Sequence, residues 1–238
     1  MSEWAPRRFW KLAEVVSEAG GHAVRLDGRP VRTPAKAPLV LPTRALAEAV
    51  AAEWGAVGER VDPGAMPMTR SANSAIDKVR PQRAEVIDAL AAYGDADLTC
   101  YRAEGPEGLV RRQAEAWDPP LAWAEATLDA RLVPTIGVMH APQDEAALAR
   151  LRAPLEAAGD FELTALHDLI ALTGSLVIGL MAAAGAEEPE ALWAASRVDE
   201  DWQASVWGAD AEAEAAAAAK RADFLHALRV HRLAEAAA

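Results

Sequence analysis

Residues 22–55 read HAVRLDGRPVRTPAKAPLVLPTRALAEAVAAEWG, and the spacing of apolar residues changes partway through the stretch. Asp27-Gly28 is a strong two-residue hairpin signal, because both residues tolerate the positive φ that a tight β-turn needs. Val24 and Leu26 precede it, Val31 and Thr33 follow it, and Pro34 and Pro38 frame a second turn before Leu39–Leu41. At Pro42-Thr43 the alternation stops. Thr43 is a good N-cap, and Leu46, Ala47, Val50 and Trp54 then recur at helical spacing until Gly55 and Gly58. The stretch predicts an antiparallel meander that hands over to helix at residue 43.

Upstream, Gly20-Gly21 separates a strand at Leu12–Ser17 from one at His22–Leu26, which makes three or four strands within residues 1–42. So small a sheet is marginal alone and is expected to pack on helices. Downstream, Thr69 is placed to cap a short helix through Ile76, and Pro81 suits a first helical position. Helices are expected over 106–117, 119–131, 143–158, 161–185, 188–207 and 210–235, with Arg131–His140 extended. The fold class is α+β, mostly α: an N-terminal β-meander lobe over 1–42 and a helical domain over 43–238. Composition agrees. The chain of 238 residues is 52% hydrophobic, but 58 of its residues are alanine, the strongest helix former and a poor packer. Larger anchors must do the packing, among them eight tryptophans against three phenylalanines and two tyrosines.

A net charge of −12 and a pI near 4.9 argue against nucleic acid as a partner. The charge is uneven. Residues 1–80 carry a net +3 and residues 81–238 a net −15. The basic start reads either as solvated strand faces or as a lobe that meets an acidic surface. Leu169–Ala186 is uncharged but contains Thr173, Gly174, Ser175, Gly179 and Gly185. Its helical length of about 27 Å and its acidic flanks favour a buried core helix over membrane insertion. Met1–Lys11 has no apolar core of a secretory signal. Phosphate-binding, zincin and nucleophile-elbow motifs are absent, and the five histidines show no metal-ligand spacing, so neither metal nor cofactor is expected. Cys100 has no histidine nearby and reads as a buried, inert thiol. Trp117 and Trp123 flank Asp118-Pro119-Pro120 and read as a packed helical corner.

One cluster invites a binding reading. If 191–207 is a single helix, Ala191, Ala195, Val198, Trp202 and Val206 form a core stripe. Trp193, Arg197, Glu200, Ala204 and Trp207 then fall within about 40° of another line. That second stripe places a cation and a carboxylate between two tryptophans. It is either a surface ion pair whose stems are covered by indoles, or a contact face anchored by tryptophan and arginine.

Several strings together carry a family resemblance. They are Arg8-Phe9 through Lys11, Leu26-Asp27-Gly28-Arg29, Thr33-Pro34, Leu41-Pro42, Leu46-Ala47, Glu53-Trp54, Met66–Thr69 and Asn73. Cys100-Tyr101-Arg102, Gln113, Trp117-Asp118-Pro119, Trp123, Arg197–Gln203 and Trp207-Gly208 follow in order. In that order the sequence resembles the F1-ATPase alpha-subunit assembly chaperones, the F1 complex assembly factor 2-like family. The resemblance implies a non-enzymatic chaperone with a small β lobe and a larger helical lobe. Its partner would be the unassembled alpha subunit of the ATP synthase F1 sector. It also implies that an acidic residue in the segment matching Arg197–Gln203 matters, carried onto Glu200 with Asp199 as the rival. Eukaryotic relatives work in the mitochondrial matrix. The lack of a targeting presequence, with twenty arginines against four lysines, points to a bacterial chain in the cytoplasm. The stretch after Gly208 departs from the family as an alanine-rich helix. Two other classes stay open: a helical adaptor for a different partner, and a small-molecule enzyme using Asp199 and Glu200.

Overall fold

The computed structural model describes residues 7–235. The chain divides into two compact units, and the division does not fall at residue 42. Among the described residues the first unit comprises 7–83, 159–165 and 229–235, and the second comprises 84–158 and 166–228. The meander is too small to bury its own inner face, so its unit takes in the helices that follow it.

In the first unit, β1 (Ala13–Glu18) and β2 (Gly21–Leu26) form an antiparallel hairpin in which Ala13 faces Leu26 and Glu18 faces Gly21. Beside β2 lie β3 (Arg29–Pro30) and β4 (Val40–Leu41), both antiparallel to it. Asp27 and Gly28 both adopt positive φ, as a two-residue hairpin requires. The Asp27 carboxylate accepts the backbone N–H groups of Leu12 and Lys11, which hold its pKa below the usual carboxylate value. Helix α1 (Arg44–Ala56) starts at Thr43, whose hydroxyl accepts the Leu46 N–H at 3.1 Å and donates to the Leu233 carbonyl. Its buried face joins Val24, Leu26, Leu39 and Leu41 in one core with Trp10, Phe161 and Val230. Trp54 is half-buried against that core, and its carbonyl accepts the Trp10 indole N–H.

Helix α2 (Pro67–Ser74) begins two residues before Thr69. Its free amides are met from outside: the Glu53 carboxylate accepts Met68 N–H at 2.7 Å, Thr69 N–H at 2.8 Å and the Thr69 hydroxyl at 2.7 Å. The expected self-cap by Thr69 is therefore replaced by a cap borrowed from α1. A π turn over Ala75–Val79 and a 3₁₀ turn over Arg80–Gln82 lead into α3 (Arg83–Ala91).

The second unit is helical. Beyond α3 it holds α4 (Glu107–Leu128), α5 (Glu145–Ala157), most of α6 (Asp160–Thr173), α7 (Leu176–Ala183), α8 (Pro189–Ala195), α9 (Val198–Trp207) and most of α10 (Ala211–Ala234). Two short parallel strands, β5 (Tyr101–Arg102) and β6 (Thr135–Ile136), complete it. Three expected helix boundaries differ. The two helices expected over 106–131 are one, and Pro119 and Pro120 lie inside it. Packing overrides the local break: Trp117 is fully buried, and its indole donates to the Ala195 carbonyl at 2.7 Å. The helix expected over 161–185 is two, because Gly174 adopts φ +68° and the Ser175 hydroxyl then caps α7 by accepting Ile178 N–H. No helix among the described residues is long and apolar enough to cross a membrane. The helix expected over 188–207 breaks at Ser196-Arg197.

The α6–α7 joint is pinned by Asp97, whose carboxylate is fully buried. It accepts Thr99 N–H, the Thr99 hydroxyl, the Ser175 hydroxyl at 2.7 Å and Val177 N–H at 3.1 Å. Burial pushes its pKa up while these donors pull it down. Cys100 beside it is buried, and burial together with the Asp97 charge raises its thiol to about 12. It is the inert thiol that the sequence implied.

Candidate functional site

The site is built on the broken helix α8–α9. At the break Ser196 N–H turns back to Leu192 and Trp193, and the Ala195 carbonyl goes to the Trp117 indole. The break separates residues that a continuous helix would align. Trp193 points into the core at 7% exposure, with its ring centroid 5.7 Å from that of Phe224. Trp207, at the far end of α9, is 85% exposed, and Val206 beside it is 53% exposed. The single stripe from Trp193 to Trp207 does not form, and the Ala191–Val206 stripe is equally split. Ala195 is buried, Val198 and Trp202 are half-buried, and Ala191 and Val206 are exposed.

What α9 keeps from the expected cluster is Arg197, Glu200 and Trp207. The Arg197 guanidinium donates to the Glu200 carboxylate at 2.7 Å, and the Glu200 side chain is half exposed. An exposed pair of this kind contributes about 1 kcal/mol or less to stability. Asp199 has a different job. It accepts from Gln113 Nε2 at 2.7 Å, and Gln113 Oε1 in turn accepts Ala103 N–H at 2.8 Å. Gln113 is buried, so Asp199 ties α9 to α4 and to the chain entering α4.

Two further contacts seat α9. The Trp202 ring lies over Gly108, where a Cβ would come within 2.8 Å of the indole, so a larger residue there would push the ring aside. On the ring's surface rests the Arg112 guanidinium, 5.0 Å from the centroid. With its inner side held by Asp199 and Trp202, α9 presents Glu200, Val206 and Trp207 outward on a fixed element.

Sequence reasoning missed the groove beside this helix. A concavity of about 430 Å³ runs between α4, α8 and α9. Its floor is apolar, made of Met181, Leu192, Ala195 and Val198. Arg112, Glu115, Glu187 and Asp201 stand at its rim, and all four are exposed. On the α4 side, Arg112, Glu115, Ala116, Pro119 and Pro120 share one helical face at i, i+3, i+4, i+7 and i+8. Prolines have no N–H, so the Glu115 and Ala116 carbonyls receive no i+4 helical bond. The double proline was the available signal. Its consequence needed three helices to converge, which no local pattern reports. Among the described residues no group of three histidine, cysteine, aspartate or glutamate side chains could hold a metal ion.

Comparison with known proteins gives the family. Residues 7–125 match the family described as ATP12 chaperone protein. The crystal structure of Atp12 from Paracoccus denitrificans superposes with a TM-score of 0.95 at 52% identity, covering 98% of this chain and 100% of that one. The Atu1473 protein of Agrobacterium tumefaciens gives 0.91 at 42% identity, covering 97% of this chain and 87% of the other. The mitochondrial protein atp12 of Schizosaccharomyces pombe is 25% identical over 214 residues, which is 85% of this chain and 74% of the yeast protein. The chain belongs to the ATP12 chaperone protein family, and the α+β, mostly helical fold expected from its sequence is the fold it shares with the two solved structures.

Proposed function

We propose that this protein is an assembly chaperone for ATP synthase. It holds the unassembled alpha subunit of the F1 sector and covers that subunit's oligomer surface until assembly, working in a bacterial cytoplasm. The α9 face makes the contact, with Glu200 and Trp207 at its centre and Arg197 orienting Glu200. Asp199 supports the face from behind, and Trp193 holds up α8 from the core. The observation that carries this reading is the pairing of a firmly seated helix with a nearly bare tryptophan at its end. Monomer stability gains nothing from an 85% exposed Trp207, whereas tryptophan is a favoured anchor at interfaces. A client of this kind exposes a sticky surface, and a strongly acidic holder stays soluble while covering it.

The test is co-expression with isolated alpha and beta subunits. The wild-type chain should keep alpha soluble and leave beta unaffected. Glu200→Lys should abolish capture of alpha with the melting temperature unchanged, and Arg197→Ala should weaken it less. Val198→Asp, at a half-buried position packed on the core, should unfold the second unit and serves as the control. Rescue of beta with none for alpha, or full capture by a folded Glu200→Lys variant, would remove the α9 face from the account.

A further inference from the structure

Resting on the reading that this face holds a client, we infer that the groove beside α9 takes one bulky apolar side chain of that client, with a neighbouring lysine or arginine meeting the rim. Three observations fix the chemistry of the occupant. The floor of Met181, Leu192, Ala195 and Val198 offers no polar side chain, so what enters it is apolar. A volume of about 430 Å³ lies low in the range of about 300–1,000 Å³ typical of small-ligand sites, which admits a bulky side chain together with part of its neighbour but not a whole helix. The rim is acidic: Glu115, Glu187 and Asp201 stand against Arg112 alone, and Arg112 already rests on the Trp202 ring.

The carboxylates are only lightly used within the chain. Glu115 lies 3.8 Å from Arg111, a loose exposed pair, and Glu187 accepts the Glu188 backbone N–H. A wall rich in acceptors above an apolar floor selects a segment with an apolar anchor next to a donor-rich cation. An acidic or purely apolar segment would meet repulsion at the rim or leave the rim unpaired.

The test fills the groove from its exposed side. Ala194→Trp and, independently, Ala191→Trp place an indole in the concavity from positions outside the core. Each variant is co-expressed with the isolated alpha subunit, and captured subunit, melting temperature and size-exclusion profile are measured. Capture should fall at least tenfold in both variants with the melting temperature unchanged. Asp201→Lys should lower it several-fold. Wild-type capture should decline between 50 and 500 mM salt, and that decline should flatten in Asp201→Lys, because the screened attraction has been removed.

If Glu200→Lys abolishes capture while both indole variants fold and capture fully, the client reading stands and the groove proposal falls. If the wild-type chain captures no alpha subunit, both fall. If the indole variants convert a dimer of this chain to monomer without touching capture, the groove belongs to a second copy and the proposal is overturned.

Discussion

The two units differ most in what they do with their carboxylates. Among the described residues the first carries 15 basic and 11 acidic residues, the second 9 and 24. In the first unit acidic side chains accept from backbone and hydroxyl donors of other segments and stitch them together. Asp27 closes the hairpin onto Leu12, Glu53 caps α2, and Asp77 accepts the Thr33 hydroxyl at 2.6 Å and Ala35 N–H at 3.0 Å. Asp160 accepts the Arg80 guanidinium at 2.8 Å. In the second unit Asp97 does this work deep in the core and Asp95 and Asp199 do it nearer the surface, by accepting from Gln143 N–H and Gln113 Nε2, while Glu187, Glu200, Asp201, Glu212 and Glu214 all face water. The excess of negative charge is thus a property of the second unit's surface, where it contributes little to stability and is free to keep the molecule soluble and to select a partner.

The contrast is sharpest in Asp97→Ala, which should show the largest effect. Removing the carboxylate leaves Thr99, Ser175 and Val177 donors unsatisfied in a dry site, at about 1–3 kcal/mol for each orphaned group. Allowing for some relaxation, a loss of about 3–5 kcal/mol is expected in urea unfolding followed by tryptophan fluorescence. Asp97→Asn should lose less, because the amide oxygen still accepts from the hydroxyls. A change below about 1 kcal/mol in Asp97→Ala would show that the α6–α7 joint is held by apolar packing alone.

Glu53→Ala is the counterpart in the first unit and should cost less, about 1–3 kcal/mol. Glu53 is only half-buried, so water can replace part of what it accepts. The effect should be local, with amide exchange speeding up at Met68, Thr69 and the first turn of α2 while the β1–β2 amides stay protected. Equal losses in Glu53→Ala and Asp97→Ala would erase the distinction between a peripheral stitch and a core pin.

The same division between local and distant causes explains what could be read in the sequence. Asp27-Gly28 and Thr43 act within a few residues, so the hairpin and the switch to helix were legible, as were the helical character and the inert Cys100. The α6–α7 break was present as Gly174-Ser175, but an uncharged run reads as continuous unless the cap is weighed against it. The continuity of α4 through Pro119-Pro120 was not legible, because it depends on Trp117 reaching the Ala195 carbonyl. Of the candidate face, helical spacing points to Glu200, Arg197 and Trp207 and family resemblance to Glu200, and the structure leaves Glu200 and Trp207 exposed. Trp193 was assigned to the face because a single helix was assumed. The groove needed α4, α8 and α9 to meet, and periodicity along one segment carries no such information.

The smallest effect separates the units by sign, through two histidines near the ordinary value of about 6.5. In the first unit His231 is pushed below it, chiefly by burial. The carboxylates of Glu162 and Glu235 oppose that shift and Arg232 adds to it, and the His231 Nδ1 has no hydrogen-bond partner among the described residues. In the second unit His167 is pushed above it, chiefly by the hydrogen bond from its Nδ1 to Asp168 at 2.9 Å. The linkage then runs in opposite directions. For His231 the unfolded chain binds the proton more tightly, so stability is lost as pH falls through 6.5 toward the lower folded value. For His167 the folded chain binds it more tightly, so its contribution is complete below 6.5 and is lost as pH rises through the higher folded value. The His167–Asp168 pair is about half exposed, so water screens it and its share is the weaker of the two. Histidine ring resonances followed from pH 8 to pH 5 should give two midpoints on opposite sides of 6.5. His231→Gln should flatten the acid side of the melting-temperature profile, and His167→Gln should flatten the neutral side by less. Coincident midpoints, or a larger change in His167→Gln, would mean that burial around His231 is relieved in solution.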